Sequence, residues 1–290
     1  MYGEYGRVLL GAALLLTSKS LFGAEPLAPL KPWNLDYGET QCLALREYGM
    51  AEDPLTFGIR PAPNGETYEL LYARKRSGPA FAEELEGAVD FDQGLPIKAW
   101  LLHYGARGEK VELYTFRISA SDLASMGSSK SVSLRAGGRL TGAPLFGSRM
   151  LNPGDGPNVT FSLENMPAVL RGLQECTADL KRYWNMDGKE TGSIAVQSKG
   201  DLRGVFNADD YPDEALYRNQ EGRAQFLLLI DEQGKVAGCH VSKPSGIPAL
   251  DGMGCQAIRE RAKFTPARDK AGRPVRSSVV TPPISWRLSE

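Results

Sequence analysis

Between Gly222 and Leu288 the chain runs through two β patterns, a helical pattern and a third β pattern, each set off by its own turn residues. Gly222 opens a strand over Arg223–Ile230, and Asp231-Glu232-Gln233-Gly234 is a turn with glycine at the position most tolerant of positive φ. Lys235–Ser242 is the returning strand, broken by Pro244-Ser245-Gly246. Leu250–Ala262 has helical spacing, with Leu250, Gly254, Ala257 and Ile258 on one side. Gly272-Arg273-Pro274-Val275 leads into a last strand, Arg276–Leu288. Ahead of the hairpin, Tyr211-Pro212 introduces a short helix over Asp213–Tyr217, since proline suits the first helical position. The order is short helix, strand, strand, helix, strand. A three-stranded antiparallel sheet covered by one helix is a complete two-layer α+β module.

The rest of the chain is long enough for a second domain: 290 residues, 42% hydrophobic and 24% charged, give material for two cores. Residues 34–150 read mostly as strands. Leu55–Ile59 and Tyr68–Ala73 flank Asn64-Gly65, a strong turn dipeptide. Ile97–His103 and Lys110–Ile118 flank Gly105–Gly108, a second hairpin. Ser121–Ala124 reads as one helical turn capped by Ser121 or Asp122. Ser131–Leu134, Arg139–Leu140 and Val159–Leu163 are shorter strand candidates. The period then changes: Met166, Val169, Leu170, Leu173, Cys176, Thr177, Leu180 and Trp184 recur every three or four residues, the mark of an amphipathic helix. The expected domains are a β-rich N-terminal domain, 25–186, sandwich-like with a terminal helix; a Gly/Ser/Lys-rich linker, 187–204; and the C-terminal module, 205–290. Glu25–Trp33 is Pro-rich and reads as an extended lead-in.

At the start, Arg7 precedes an apolar run, Val8–Leu16, ending at Thr17-Ser18-Lys19-Ser20. A span of a bilayer needs about 20 residues. The shorter run fits the core of a secretory signal peptide, residues 1–24, cut after Ala24 or near Ser20, with an uncleaved anchor as the alternative. Export places Cys42, Cys176, Cys239 and Cys255 in an oxidising compartment, where an even count implies two disulfides and three connectivities. Cys42 and Cys176 precede the domain boundary and Cys239 and Cys255 follow it. The connectivity that keeps each bridge within one domain is preferred.

The ordered set Tyr211-Pro212, Ala215, Gly222, Asp231, Gly234, Val241, Ser245-Gly246, Leu250-Asp251, Phe264, Pro266-Ala267, Gly272 and Pro274-Val275 resembles the C-terminal domain of the TonB energy-transducer family, over residues of about 205–290. Cys239 and Cys255 look like an extra feature of a subset of such domains. The resemblance implies binding of a short extended segment of a TonB-dependent outer-membrane transporter by addition to a strand edge. The candidate contact residues are Tyr211, Pro212, Val275, Ser277, Ser278, Val279 and Val280, with Pro282 and Pro283 limiting how far pairing can run. For Tyr211, packing at the helix entry is an equal alternative. A homodimer through the same module is a further option. The β-rich N-terminal domain, closed by Phe161-Ser162-Leu163 and a final helix, resembles the invasion-associated locus B family of periplasmic proteins. A transducer of the TonB type needs a membrane anchor and a long Pro-rich spacer, and a signal peptide followed by a folded domain supplies neither.

Other chemistry is weakly represented. Basic and acidic residues number 34 and 35, for a net charge of −1, with no basic stripe to bind nucleic acid. The only histidines are His103 and His240, and no Cys-x-x-Cys occurs, so neither a metal site nor a cofactor is expected. His240 neighbours Cys239 on one strand, which turns their side chains to opposite faces. Asp90 and Asp92 share a strand face and fit a solvated surface better than acid–base work. Gly137-Gly138 and the turn holding Gly154 and Gly156 lack the ending of a phosphate loop, and Asn158-Val159-Thr160 matches a glycosylation acceptor. The expectation is a non-enzymatic periplasmic binding protein of a Gram-negative bacterium, with no stable membrane span after processing. The alternatives are an inner-membrane-anchored energy transducer, and an enzyme or inhibitor acting through the N-terminal domain. Partner, oligomeric state and the first domain's ligand are not encoded in any motif.

Overall fold

A computed structural model describes residues 25–75, 81–92, 95–105, 110–136, 157–186 and 194–288. The signal segment 1–24, the strand candidate Arg139–Leu140 and the first part of the linker lie outside them.

The N-terminal domain has nine strands: β1 (Asn34–Tyr37), β2 (Cys42–Met50), β3 (Asp53–Pro61), β4 (Thr67–Lys75), β5 (Phe81–Phe91), β6 (Ile97–Gly105), β7 (Val111–Ser119), β8 (Ser131–Ala136) and β9 (Asn158–Ser162). They form one antiparallel sheet in the order β1-β2-β3-β4-β7-β6-β5-β8-β9. Both expected hairpins are present, β3–β4 around Asn64-Gly65 and β6–β7. Alternate side chains, such as Phe57 and Ile59, Leu70 and Tyr72, Leu101 and His103, Tyr114 and Phe116, are buried, as a sheet with one wet face requires.

The sandwich expectation is replaced by a sheet closed on itself. The Pro-rich lead-in supplies the seam. Leu27 donates to the Thr160 carbonyl and accepts from Ser162 on β9, while Leu30 donates to Glu47 and Gly49 donates to Ala28 on β2. Tyr48 crosses the seam to the Ser162 carbonyl at 2.9 Å, and Phe161 lies 4.9 Å from Tyr48 and 5.0 Å from Phe57. Buried Arg46 fastens the lead-in further, donating to the Lys31 carbonyl at 2.7 Å and to Glu164 at 3.1 Å. Closure removes exposed edges, which otherwise invite pairing with other chains.

Helix α1 (Ala120–Met126) is capped two or three residues earlier than expected: Ser119, not Ser121 or Asp122, is the cap, and Asp122 reaches back to the Ser119 N–H in a capping box. Helix α2 (Met166–Tyr183) matches the periodic stretch and lays Met166, Val169, Leu173, Cys176 and Leu180 on the core. The Cys42–Cys176 disulfide and a Trp184 Nε1 bond to the Glu39 carbonyl pin it to the start of the domain.

In the C-terminal module, β10 (Lys199–Gly200), a 3₁₀ turn (Ala208–Asp210) and α3 (Asp213–Tyr217) precede β11 (Gly222–Ile230) and β12 (Val236–Lys243). Then come α4 (Pro248–Arg261), β13 (Phe264–Thr265), β14 (Ala267–Arg268), β15 (Pro274–Val275), β16 (Ser277–Val280) and β17 (Ile284–Trp286). β11 is central, with β12 on one side and β16 followed by β17 on the other. Helix α4 packs Ala257 and Ile258 onto Ala224, Phe226 and Leu228, and the Cys239–Cys255 disulfide ties it to β12. The fold class, α+β, holds. Gly234 has φ of +78°, and a Cβ there would lie 1.9 Å from the Phe264 carbonyl oxygen, so the turn between β11 and β12 admits no side chain.

Two expectations about this half change in detail. The last strand is not continuous: Pro282-Pro283 split it into β16 and β17. Thr281 fills the break, donating its N–H to Phe226 and accepting the Phe226 N–H on Oγ1. Residues 194–204 are also structural. Val196 bridges Arg268, β10 pairs β13, and Val205 just beyond joins the module's core.

The two halves touch. Leu229, on the sheet face away from α4, belongs to the N-terminal core, with Ala237 beside it. Asn185 donates to the Arg276 carbonyl at 2.7 Å, and the Arg276 guanidinium lies 4.1 Å from the Tyr183 ring centre.

Loss of the longer disulfide tests how much the N-terminal domain relies on its end-to-end tie. With the two cysteines 134 positions apart, the Cys42→Ser/Cys176→Ser pair is expected to lose roughly 5 kcal/mol of unfolding free energy. Removing the 16-residue bridge by Cys239→Ser/Cys255→Ser should cost roughly 3 kcal/mol, and urea melts measure both.

Candidate functional site

The antiparallel sheet of the C-terminal module ends at β16. Thr281 turns its N–H inward to Phe226, so in the alternation of an antiparallel strand Val279 and Ser277 also face β11. The N–H and C=O groups of Ser278 and Val280 therefore turn outward, and no hydrogen bond joins them to another described residue. Val280 is 54% exposed. Pro282 and Pro283 bound the edge on one side. On the other, Val275 pairs with Ala267 in the separate β14–β15 ribbon. What remains is a short free edge of about four residues, Ser277–Val280.

Beside the edge lies a hollow of about 510 Å³, walled by Leu202, Phe206, Phe264, Val279 and Ile284, with Lys199 at its border. Ser198 Oγ and Ser277 Oγ, 2.8 Å apart and buried, fasten the wall to β16. Two features needed here were not read from the sequence. Thr281 keeps β11 and the proline break compatible, and residues 198–206 build the wall. The apolar patch Ile194-Ala195-Val196 inside a supposed linker was the one signal that the segment is folded.

Tyr211 and Pro212 do not converge on this edge. β17, against which Tyr211 packs, pairs with Gly222–Ala224, whereas β16 pairs with Leu227–Ile230. The Tyr211 ring meets Trp286 edge-on at 5.6 Å and its hydroxyl donates to the Gln220 carbonyl at 2.5 Å. Burial raises its phenol. Pro212 accepts from the Leu216 N–H at the start of α3. Tyr211 is thus held by packing and Pro212 by a backbone bond, both away from β16.

The titratable residues weighed for catalysis are each bound into structure. His103, 2% exposed, stacks on Tyr114 at 3.9 Å and meets Glu112 at 2.5 Å. Glu112 also accepts from Tyr114 and Arg74 at 2.9 and 2.7 Å. Burial opposes ionisation of Glu112, but these bonds outweigh it and hold the carboxyl far below its usual range. Strand register alone brings Arg74, His103 and Glu112 together, so no local motif announces them. Asp90 pairs with Arg135, and Asp92, at φ of 49°, caps the Lys130 and Ser131 N–H groups. Among the described residues no group of three or more His, Cys, Asp or Glu could hold a metal ion, and no helix is long and apolar enough to cross a membrane.

His240 lies on β12 opposite Cys239, as strand alternation requires: Cys239 reaches α4 through its disulfide, and His240 turns to the N-terminal domain. Burial, then the nearby Arg60 charge, lowers its pKa from 6.5 to about 4.

Residues 207–288 match the family described as Gram-negative bacterial TonB protein C-terminal. The match begins after the N-terminal domain and does not bear on it. No curated protein and no solved structure matches this chain.

The His240 shift sets a pH dependence. The unfolded imidazole takes a proton below pH 6.5 while the folded one resists until about 4. Stability from this group is thus complete above pH 6.5 and is lost as pH falls to about 4, by on the order of 3 kcal/mol. His240→Gln should flatten this limb of a stability-versus-pH curve measured by urea unfolding. An unchanged limb would show that other groups set it.

Proposed function

We propose that the protein is an exported periplasmic binding protein whose C-terminal module captures an extended peptide by strand addition along β16, the partner being a segment of a TonB-dependent outer-membrane transporter. The observation that carries this reading is the pair of outward-facing backbone units at Ser278 and Val280 beside an apolar hollow. A peptide strand laid there gains up to four backbone hydrogen bonds, each worth roughly 0.5–1.5 kcal/mol net. Every second side chain of that peptide faces the hollow, and seating one Leu-sized group adds roughly 2 kcal/mol. Against the cost of association, the sum describes a weak, reversible complex. The family match supports the choice of partner, because the TonB resemblance implies recognition of an outer-membrane transporter.

Force transmission is not part of this reading. The short apolar run Val8–Leu16 fits an export signal better than a motor-coupled anchor, and a closed barrel stands where a transducer carries its spacer. Mass spectrometry of the native protein decides the point: a new N-terminus near Glu25 is expected, and an intact Met1 in the membrane fraction would favour the anchored transducer.

Peptide capture is tested on the protein beginning at Glu25 by titrating transporter N-terminal peptides and following backbone amide resonances. Shifts should concentrate at Ser277–Val280 and along the hollow. Ser278→Pro removes one outward donor at an edge position that tolerates proline, and should weaken binding about tenfold or more while leaving the melting temperature nearly unchanged. Shifts that miss β16, or binding indifferent to the proline, would overturn the edge mechanism. Shifts that depend on protein concentration without peptide would instead identify a second copy as the strand donor.

A further inference from the structure

A cavity of about 590 Å³ lies where the Pro-rich lead-in, β1, β2 and the start of α2 meet. Leu30, Pro32 and Trp33 wall it from the lead-in, Leu35 from β1 and Val169 from α2, with Arg46 of β2 among them. Arg46 is only 8% exposed, so its guanidinium donors need partners inside the protein. Nε donates to the Lys31 carbonyl at 2.7 Å, and Nη2 donates to Glu164 at 3.1 Å. Nη1 is buried and has no hydrogen-bond partner. Among the described residues it is the only buried side-chain nitrogen or oxygen of this cavity left in that state.

Charge is already settled here. Glu164 balances Arg46, and Glu47 balances Lys31 at 2.7 Å. The N–H groups of Ala168 and Val169, at the start of α2, both go to the Asn165 carbonyl. The cavity therefore calls for one neutral acceptor and not for a counter-ion. The lead-in itself shows which kind of acceptor β2 reads. Lys31 precedes Pro32 and Ala28 precedes Pro29, so both carbonyls belong to tertiary amides. Arg46 Nε donates to the first, and the Gly49 N–H donates to the second at 3.3 Å.

We infer that this cavity binds a second proline-rich segment, supplied by a partner in extended polyproline conformation. A carbonyl preceding one of its prolines accepts from Arg46 Nη1, and a proline ring packs against Trp33. Proline is singled out by what it lacks. An ordinary residue brings an N–H with every carbonyl, and here that N–H would be buried among Leu30, Leu35 and Val169 at a cost. A tertiary amide brings the carbonyl alone. The polyproline backbone makes no internal hydrogen bonds, so its carbonyls are free, and it is stiff before it binds, which lowers the ordering cost. Aromatic-lined grooves recognise such segments by the same means. The residues of this site all lie in the N-terminal domain, and a proline-rich segment cannot form the ladder that β16 offers.

The chain has four tryptophans, each with one indole N–H. That of Trp33 is bonded to the Glu164 carbonyl at 3.1 Å, beside the cavity, so it reports on the site while the other three serve as references. The test titrates the protein beginning at Glu25 with the capped peptide acetyl-Pro-Leu-Pro-Leu-Pro-amide, with its counterpart carrying alanine for proline, and with octanoate. A saturable shift of the Trp33 signal is expected with the proline peptide, at a midpoint about tenfold lower than with the alanine peptide. Arg46→Lys keeps the charge, removes Nη1 and should weaken binding about tenfold. Because Arg46 also fastens the lead-in, a second variant separates binding from folding. Ala168 lines the cavity from the exposed first turn of α2, so Ala168→Phe should fill it without entering the core and abolish the shift. Equal midpoints for the two peptides, a response to octanoate alone, or binding indifferent to Ala168→Phe would overturn the site. Shifts confined to Ser277–Val280 with an unmoved Trp33 signal would do the same. None of these outcomes decides whether β16 captures a transporter segment.

Discussion

A backbone N–H or C=O at the rim of a sheet must find a partner or face water. That constraint organises both halves of this protein. In the N-terminal domain the two rims, β9 and the part of β2 beyond its pairing with β1, are too far apart along the chain to meet by a hairpin. Leu27–Leu30 lies between them and satisfies both. Tyr48, Phe57 and Phe161 can then pack across the seam. In the C-terminal module one rim, β12, is turned toward the N-terminal domain, with Leu229 and Ala237 in its core. The other rim, β16, keeps outward groups without a described partner. A closed sheet beside a short open one focuses strand pairing onto a single stretch.

The sequence disclosed period and turn chemistry well, and long-range closure poorly. The helix over Met166–Tyr183 and the hairpins at Asn64-Gly65 and Asp231–Gly234 follow from local spacing, and they appear where the spacing puts them. The fate of Glu25–Trp33 does not. A Pro-rich segment is extended in either case, and nothing local distinguishes a loose lead-in from a strand that seals a barrel. The same limit hid the His103–Glu112–Arg74 cluster, whose members meet only through the register of β4, β6 and β7. The two disulfides were legible because the domain division left one sensible pairing.

The candidate edge was legible as a place but not as a shape. Ser277–Val280 and the limiting prolines could be read directly. Proline was expected to mark an edge, and β16 is one. Thr281 could not be foreseen, because its role depends on Phe226 opposite it: one backbone bond and one side-chain bond replace the ladder where the prolines interrupt it. The hollow is hidden in the sequence because its wall comes from a Gly- and Ser-rich stretch that reads as a spacer, although β10 and Val205 fold into the module. Tyr211 carries two readings, partner contact and packing at the helix entry. An aromatic–proline pair at a domain entrance suggests contact with a partner, yet Trp286 and the Gln220 carbonyl already engage it.

Docking of the module has a mechanical consequence. A strand added at β16 pulls on β11 through the Leu227–Ile230 ladder, and β11 is held on its far side by β12. The face carrying Leu229 rests on the N-terminal core, and Arg276, just before β16, is gripped by Asn185 and Tyr183 at the end of α2. The Cys42–Cys176 bridge carries α2 back to β2. Load applied at the edge thus reaches a disulfide-tied barrel within a few contacts, where a long flexible spacer would have let the module move freely. Such a mounting suits a receptor that presents a fixed edge to a weakly held peptide. Pre-organisation lowers the ordering cost of each binding event, and for a site with only four backbone bonds to offer that cost decides whether binding occurs.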